Sequence, residues 1–476
     1  MSGQRTKIVA TLGPASGDAK VIGAMIDAGM DVARLNFSHG EPAEQLERLA
    51  TARRAAADRG AALAVLADLQ GPKIRVGVLA GDGYPLRAGD DCELVAGAET
   101  APAPAIPVVY QGLADDLAPG DHVLLDDGAI ELEVRRVEGR RVRCLVLRGA
   151  TIRSRKGVNL PGVRVSAPAL TPKDREDLAT AVGAGVDYVA LSFVRRAADV
   201  TEAKRAIADL GADVPVIAKL ERGEAIERLD GIVAASDGVM VARGDLGVEL
   251  PPEKVPPLQK RIIAAANAAG VPVITATEML ESMVSSQRPT RAEASDVANA
   301  VFDGTDATML SQETAIGAFP AEVVATMARI AEEAESAPSL VHPPPPAGGP
   351  LDVRSTVCRA AVQAAADLRA LAIVACTASG ATARFVSRFR PRTPIFGLTA
   401  HPATIRRMTM YWGVQPLPPV RPGLRIEEMV RQADELLRGA GAAATGDLIV
   451  VVAGTPPRGA GTNQLLVHRL GHDDVA

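Results

Sequence analysis

PVIAKLERGEAIERLDGIVAASDGVMVARGD, residues Pro215–Asp245, carries the pattern that decides the fold. Two apolar runs, PVIAKLE (Pro215–Glu221) and GVMVARGD (Gly238–Asp245), enclose a stretch rich in Ala, Glu and Arg. The runs are short, β-branched and bounded by Gly, Asp or Pro, as strands buried on both faces are, and the segment between them reads as helix. The same unit recurs outward in both directions. Lys7–Leu12, Val32–Phe37, Leu63–Leu69 and Asp187–Phe193 precede it, and Pro272–Glu278 and Ala307–Glu313 follow. Successive starts lie 25, 31, 124, 28, 23, 34 and 35 residues apart. If residues 71–163 are an insertion of 93 residues, the 124 becomes 31 and the series is regular. Eight βα units in sequence predict an α/β protein built on a (β/α)8 TIM barrel. The 244 residues of 1–70 and 164–337 match the size of such a barrel, about 250.

The insertion has a different texture. Lys73–Leu79, Cys92–Val95, His122–Leu125, Ile130–Val137 and Arg141–Arg148 are short alternating runs between Gly and Pro turns, which predicts an all-β lid domain. It hangs on two neighbouring linkers, so it is free to close over the barrel. After the barrel, residues 338–350 form a Pro-rich spacer. Beyond it Leu371–Cys376, Pro394–Leu398, Asp447–Gly454 and Leu465–His468 predict a C-terminal α/β domain over 351–476, doubly wound.

Composition removes several function classes. Of 476 residues only 3% are aromatic and the net charge is −5, which argues against nucleic-acid binding and anionic membranes. No run of about 18 apolar residues spans a membrane. Four scattered cysteines without a CxxC pair fit a reducing, cytoplasmic setting rather than a disulfide or zinc framework.

Active sites of such barrels lie at the C-terminal ends of the strands, and polar groups gather there. The second run ends Arg34-Leu35-Asn36-Phe37-Ser38-His39 and the third contains Asp68. The fourth contains Ser192, the fifth Lys219 and Glu221, and the sixth Arg243-Gly244-Asp245. The seventh holds Thr277-Glu278 and the eighth Ser311 and Glu313. Period-two spacing puts Arg34, Asn36 and Ser38 on one face, and Lys219 with Glu221 on one face. Lys219 is one of nine lysines against 43 arginines and sits inside an apolar run. A purely structural Lys219–Glu221 pair would gain little, because desolvation offsets the attraction. Two hard oxygen donors, Glu221 and Asp245, beside a Lys and an Arg are what a divalent ion shared with a phosphorylated substrate requires. The plainer readings are loop caps for Glu221 and Asp245, a barrel ion pair for Arg34, helix caps for Thr277 and Ser311, and a surface role for His39. There is no P-loop and no protein-kinase catalytic-loop signature.

These residues stand in motifs that identify a family. RLNFSHG (Arg34–Gly40), DLQGPKIR (Asp68–Arg75), KGVNLPG (Lys156–Gly162), AKLE (Ala218–Glu221), SDGVMVARGDLGVE (Ser236–Glu249), TATEMLESM (Thr275–Met283) and RPTRAEASDVANAVFDGTDATMLSQETA (Arg288–Ala315) resemble pyruvate kinase. The resemblance runs over essentially the whole chain, in the order barrel, inserted lid, barrel, C-terminal domain. It implies phosphoryl transfer from phosphoenolpyruvate to ADP, giving ATP and enolpyruvate that is protonated to pyruvate, the last step of glycolysis. By the same resemblance Glu221 and Asp245 bind Mg2+ or Mn2+. Lys219 neutralises the phosphoryl group in flight and Arg34 binds it. Gly244 amides, Asp245 and Thr277 lie on the substrate side, with Thr277 and Ser311 near a water chain that protonates the enolate. Asn36, His39, Arg75 and Lys156 are implied on the nucleotide side, Arg75 and Lys156 at the two lid hinges.

The family's monovalent-cation pocket maps to Asn36, Ser38, Asp68 and the Leu69 carbonyl. Members that need K+ typically read Asp-Thr-Lys-Gly-Pro-Glu there, where this chain reads Asp68-Leu69-Gln70-Gly71-Pro72-Lys73. An ammonium at position 73 replaces the charge of K+, so K+ is expected to be dispensable. Glu278 stands where Gln is usual, and Gln312 where a small residue is. In the C-terminal domain CTASGATA (Cys376–Ala383) opens a helix with Thr377, Ser379, Gly380 and Thr382, an expected site for a phosphorylated effector, sugar phosphate or nucleotide, with Gly454–Asn463 facing it. The family's usual assembly is a homotetramer. Two rivals are a related barrel enzyme of phosphoenolpyruvate or pyruvate, which would need no lid, and a catalytically impaired, effector-binding homologue, which would have lost Lys219, Glu221, Asp245 or Thr277.

Overall fold

The structure is a computed structural model that describes residues 3–81, 83–337, 352–439, 441, 443–454 and 461–472. Eight parallel strands close into a barrel: Lys7–Leu12, Val32–Asn36, Ala64–Asp68, Tyr188–Leu191, Val216–Leu220, Gly238–Ala242, Val273–Ala276 and Ala307–Leu310. They are numbered one to eight below. Each strand pairs with its neighbours in chain order, and strand one closes on strand eight through Lys7–Ala307 to Ala10–Leu310. Alternate side chains divide the core. Ile8, Ala10, Ala33, Leu35, Val65 and Ala218 pack outward under the helices. Val9, Val32, Leu66, Ala190, Ile217 and Met240 belong to a second cluster that fills the barrel interior and continues into the C-terminal domain.

A fourfold device sits at the N-terminal end of the barrel. An aspartate stands immediately before each even strand: Asp31, Asp187, Asp237 and Asp306. Each accepts the backbone N–H of the preceding odd strand, from Ile8 (2.9 Å), Val65 (2.8 Å), Val216 (2.9 Å) and Val273 (2.8 Å) respectively. The carboxylate thereby satisfies an amide that the sheet leaves open. Each also meets a cation: Lys7, Arg53 with Arg406, Lys204 and Arg390.

The insertion folds as a six-stranded sheet, Val158–Asn159, His122–Leu125, Ile130–Glu138, Arg141–Arg148, Asp91–Ala96 and Ile106–Val108 in spatial order, beside a two-stranded piece, Tyr84–Pro85 with Thr151–Ile152. Lys73–Leu79 is not the strand expected there. Its residues bridge singly to three different partners, Arg75 to Gly157, Val76 to Val108 and Val78 to Thr100, because this segment climbs from the barrel into the lid. Two barrel arginines grip the return linker: Arg222 donates to the carbonyls of Leu160 and Val163, and Arg195 to those of Val165 and Ala167.

The C-terminal domain has a five-stranded sheet, four strands parallel and Gln464–Arg469 antiparallel, with Val353–Asp367 and Ala381–Ser387 on one face and Ile426–Gly439 on the other. It seats against the barrel's N-terminal end, where Lys7 donates to the Val414 carbonyl (2.9 Å) and Tyr188 to that of Arg407 (2.7 Å). The Pro-rich spacer lies outside the described residues.

Candidate active site

At the opposite end the interior positions turn from apolar to charged along single strands: Val32 to Arg34, Leu66 to Asp68, and Ile217 to Lys219 and Glu221. Period two delivers them to one mouth. Lys219 Nζ lies 2.7 Å from Glu221 Oε1 and 3.2 Å from Asp68 Oδ1, and donates to Ser192 Oγ at 2.7 Å. Arg34 Nε donates to Asp68 Oδ2 at 2.7 Å, and its Nη1 to Thr11 Oγ1 at 2.9 Å. Glu221 Oε2 accepts from the Phe193 amide at 2.7 Å.

The charges perturb one another. Burial works against the charged form of Lys219, but Asp68, Glu221 and Asp245 outweigh it and hold the ammonium's pKa above its ordinary value. Burial likewise works against the Asp68 carboxylate, and Lys219 and Arg34 overcome it, keeping that group ionised. Burial pushes Glu221 up to about 7, Lys219 opposing the rise and Asp245 adding to it. Asp245 lines the cleft between barrel and lid together with Lys73, Asp127, Asn159 and Phe193, and its carboxylate accepts no hydrogen bond among the described residues. Such a donor set fits a divalent cation that completes its shell with oxygens of a bound anion. No group of three or more His, Cys, Asp or Glu forms a protein-only cage among the described residues, and two carboxylates plus substrate oxygens suffice for a hard cation.

Next to this cluster the chain is strained. Thr277 and Glu278 both have positive φ, 72° and 53°, a region that a β-branched residue such as Thr rarely enters. Arg243 holds the turn: it donates to the carbonyls of Ala276 (3.2 Å) and Thr277 (2.7 Å) while pairing with Asp296 at 2.7 Å. The turn presents Thr277 Oγ1 to the Gly244 amide, which donates to it at 2.7 Å. Ser311 lies at the end of strand eight, and its amide donates to Glu313 at 2.6 Å.

Toward the lid, burial first and then the charges of Lys73, Arg75 and Arg34 lower the pKa of His39, so these cations surround a neutral imidazole at pH 7. Lys156 is turned to Asp126 of the lid at 2.8 Å. Asn36 Oδ1 accepts from the Ser38 amide at 3.1 Å, and the Leu69 carbonyl accepts from Ser192 Oγ at 2.7 Å.

Comparison with known proteins coincides with this architecture. The family model described as pyruvate kinase, barrel domain, matches residues 3–324, and that described as pyruvate kinase, alpha/beta domain, matches residues 355–468. The chain belongs to the pyruvate kinase family. The pyruvate kinase of Mycobacterium tuberculosis is 46% identical over 478 residues, covering 99% of this chain and all of that one. That of Corynebacterium glutamicum is 44% identical, covering 99% and 98%. A crystal structure of a pyruvate kinase from Cryptosporidium parvum superposes with a TM-score of 0.91 at 36% identity, covering 98% of this chain and 96% of its own.

One member of this pyruvate kinase mouth, Thr11, escaped the sequence reading, and so did what Arg243 holds there. Thr11, a hydrogen-bond partner of Arg34, follows Val9 at period two on strand one. Arg243 stood in the sixth run, but nothing in its spacing indicated that its guanidinium would bind the turn after strand seven.

In the C-terminal domain a cleft of about 540 Å³ is lined by Arg354, Thr377, Ser379, Thr382, His401 and Arg421 among others. Thr377 Oγ1 accepts from the Gly380 amide at 2.9 Å, and Thr382 meets Thr462 at 2.8 Å. Residues 455–460 of the facing loop lie outside the described residues. Among the described residues no helix is long and apolar enough to cross a membrane.

Proposed function

We propose that this chain is a pyruvate kinase, transferring the phosphoryl group of phosphoenolpyruvate to ADP with a divalent cation. The observation that carries the reading is Lys219, a largely enclosed ammonium between Asp68 and Glu221 whose pKa its neighbours hold above the ordinary value. Such a group does not act as an acid; it stays charged and stabilises charge on the phosphoryl group, the type of effect that dominates phosphoryl transfer. The Arg34 guanidinium offers its remaining donors to the same group. The Gly244 amide and Thr277 hydroxyl, which satisfy each other in the structure, would open to take a substrate carboxylate. Glu221 and Asp245 would hold the cation, Mg2+ or Mn2+, which supplies Lewis-acid polarisation of the substrate oxygens when bound. Asn36, His39, Arg75 and Lys156 would meet the nucleotide as the lid, residues 71–163, closes on the barrel of 1–70 and 164–337 and excludes water. Enolate protonation would run through water near Thr277 and Ser311. All four groups that a catalytically impaired homologue would lack are present, and this disfavours that alternative.

The test is pyruvate formation from phosphoenolpyruvate with ADP and Mg2+ each present or omitted, for wild type and Lys219→Ala in K+-free buffer. Pyruvate only with both, collapsing in the variant, is the expected result; pyruvate without ADP overturns it. K+ is expected to be dispensable. In support, Lys73 lines the cleft, and Leu69 O and Asn36 Oδ1 of the cation pocket already accept internal donors. Many-fold activation by KCl would overturn this part alone. The C-terminal cleft (domain 351–476) would take a phosphorylated effector, a sugar phosphate or nucleotide, on Thr377, Ser379, Gly380 and Thr382. An unchanged response of Ser379→Asp to every effector that activates wild type would exclude that site. Assembly as a homotetramer in the cytoplasm is the arrangement typical of the family.

A further inference from the structure

The four cysteines play no part in the proposed chemistry, yet two of them are neighbours. In the lid, Asp91–Ala96 and Arg141–Arg148 pair antiparallel without a register shift, and Cys92 stands directly opposite Cys144. The type of pair follows from the flanking bonds. Val146 N donates to Asp90 O at 2.9 Å, and Ala96 N donates to Arg140 O at 2.8 Å. Hydrogen-bonded pairs alternate along an antiparallel ladder, so 92/144 lies two steps in from one and four from the other and is itself hydrogen-bonded. Such pairs hold their Cα atoms about 5.5 Å apart, within the roughly 4.4–6.8 Å that a disulfide spans. Directly opposed residues also point to the same face of the sheet.

The two thiols differ in access. Cys144 is buried and Cys92 is half-buried. Both side chains face the lid core, Cys144 within it beside Val142 and Val146 and Cys92 packed against it. The partial exposure of Cys92 is what lets a small oxidant reach it. Interaction with Cys92, and then burial, raise the pKa of the Cys144 thiol; its Sγ donates to the Val142 carbonyl at 3.8 Å. The other two cysteines, Cys358 and Cys376, are buried in the C-terminal domain in the cores on opposite faces of its sheet, and both are free thiols.

We propose that Cys92 and Cys144 form a peroxide-oxidisable cross-strand pair, a reversible modification site in the lid. Cys92 gives its proton to solvent, and the thiolate attacks one oxygen of hydrogen peroxide. The O–O bond breaks, hydroxide leaves and is protonated to water, and Cys92 becomes a sulfenic acid. The Cys144 sulfur then attacks the Cys92 sulfur; the S–O bond breaks, and the oxygen departs as a second water carrying the Cys144 proton. Two thiols are oxidised to one disulfide while one peroxide is reduced to two waters. The bond ties the edge of the lid sheet, Asp91–Ala96 with Ile106–Val108, to the meander His122–Arg148. It draws the two Cβ atoms of this hydrogen-bonded pair closer than the ladder holds them, which favours ready reduction. It touches no residue of the barrel mouth.

The test is incubation of the full-length, reduced protein with hydrogen peroxide, then alkylation under denaturing, non-reducing conditions and peptide mapping. The expected result is a 92–144 cross-linked peptide with the loss of two hydrogen masses, reversed by dithiothreitol, with Cys358 and Cys376 still alkylated. In Cys144→Ser the sulfenic acid on Cys92 is expected to accumulate and react with dimedone; Cys92→Ser is expected to leave Cys144 unoxidised. Both variants are checked for folding by circular dichroism, and the wild-type mapping decides alone if either fails. Recovery of both wild-type thiols alkylated, over-oxidation of Cys92 with Cys144 free, or prior oxidation of Cys358 or Cys376 would each overturn the proposal.

Discussion

Asp187 and Asp245 lie at opposite ends of the same barrel and live under opposite rules. At the floor, Asp187 is fully buried and satisfied: it accepts from the Val65 amide, pairs with Arg53 at 2.6 Å and with Arg406 of the C-terminal domain at 2.9 Å. At the mouth, Asp245 faces a cleft without a hydrogen bond among the described residues, and its charge raises the pKa of its neighbour Glu221. Floor backbone is regular strand, whereas Phe193, Thr277 and Glu278 at the mouth have positive φ. The floor spends its carboxylates on closing the sheet and fastening a domain; the mouth leaves Asp245 without a hydrogen bond among the described residues and the adjoining backbone strained, ready for a ligand. Conserving charge while changing its partners is how one fold separates stability from function.

The comparison breaks if floor aspartates influence chemistry as mouth residues do. Asp187→Ala strands a buried amide and two guanidinium groups, so it is expected to cost about 3–5 kcal/mol of stability. Asp237 makes the same backbone bond, but its ion pair with Lys204 is more than a third exposed on both sides. Asp237→Ala is therefore expected to cost only about 1 kcal/mol. Denaturant titration of both variants gives the ratio, and kinetics well below the transition should show kcat and KM near wild type in each. Equal losses of stability would mean that the C-terminal domain adds nothing through Arg406.

A smaller effect than that of Asp187→Ala is expected from Arg243→Lys at the mouth. Lysine keeps a charge for Asp296 but loses the fork that grips the carbonyls of Ala276 and Thr277. One to two hydrogen bonds at about 1 kcal/mol each correspond to roughly a tenfold rise in KM for phosphoenolpyruvate. The midpoint of unfolding should barely move, the reverse of Asp187→Ala. A loss of kcat with KM unchanged would remove Arg243 from the role of positioning the carboxylate site.

How far this division could be read from sequence differs between the two ends. The mouth was legible because period two on an apolar run exposes any charge placed there: Lys219 within PVIAKLE cannot be a surface residue. The floor was not, although Met30-Asp31, Val186-Asp187, Ser236-Asp237 and Thr305-Asp306 repeat at the same place before alternate strands. A single aspartate before a strand looks like ordinary turn chemistry, and only the fourfold recurrence, visible once strands are paired, gives it meaning. Besides three strands of only two residues in the lid, two longer strands were missed, Ile106–Val108 and Val414–Pro416. Both are three residues long, contain a proline and lie at a sheet edge, where the missing N–H costs no ladder bond. The grip of Arg195 and Arg222 on the lid linker joins residues some 30 to 60 positions apart by side chain to carbonyl bonds, which leave no periodic trace.

The smallest expected effect concerns a mouth-side loop that behaves like the floor. After strand seven, Ser282 donates through its amide (2.7 Å) and hydroxyl (2.5 Å) to Glu293, which also accepts the Thr290 amide at 2.7 Å and so caps the helix Arg291–Phe302. Burial pushes the Glu293 carboxyl up, but these bonds outweigh it and hold the carboxyl below its ordinary value. A depressed carboxyl contributes stability that is fully present above the unfolded value, about 4.3, and is lost as the pH falls through the folded one. Glu293→Gln retains the shape and one acceptor without the charge. It should lower the thermal midpoint slightly at neutral pH, and the gap to wild type should close in acid as wild type loses the same charge. A gap that persists unchanged down to the acid transition would show that the capping box acts here through geometry alone. Glu293 would then belong with the uncharged scaffold rather than with the satisfied carboxylates of the floor.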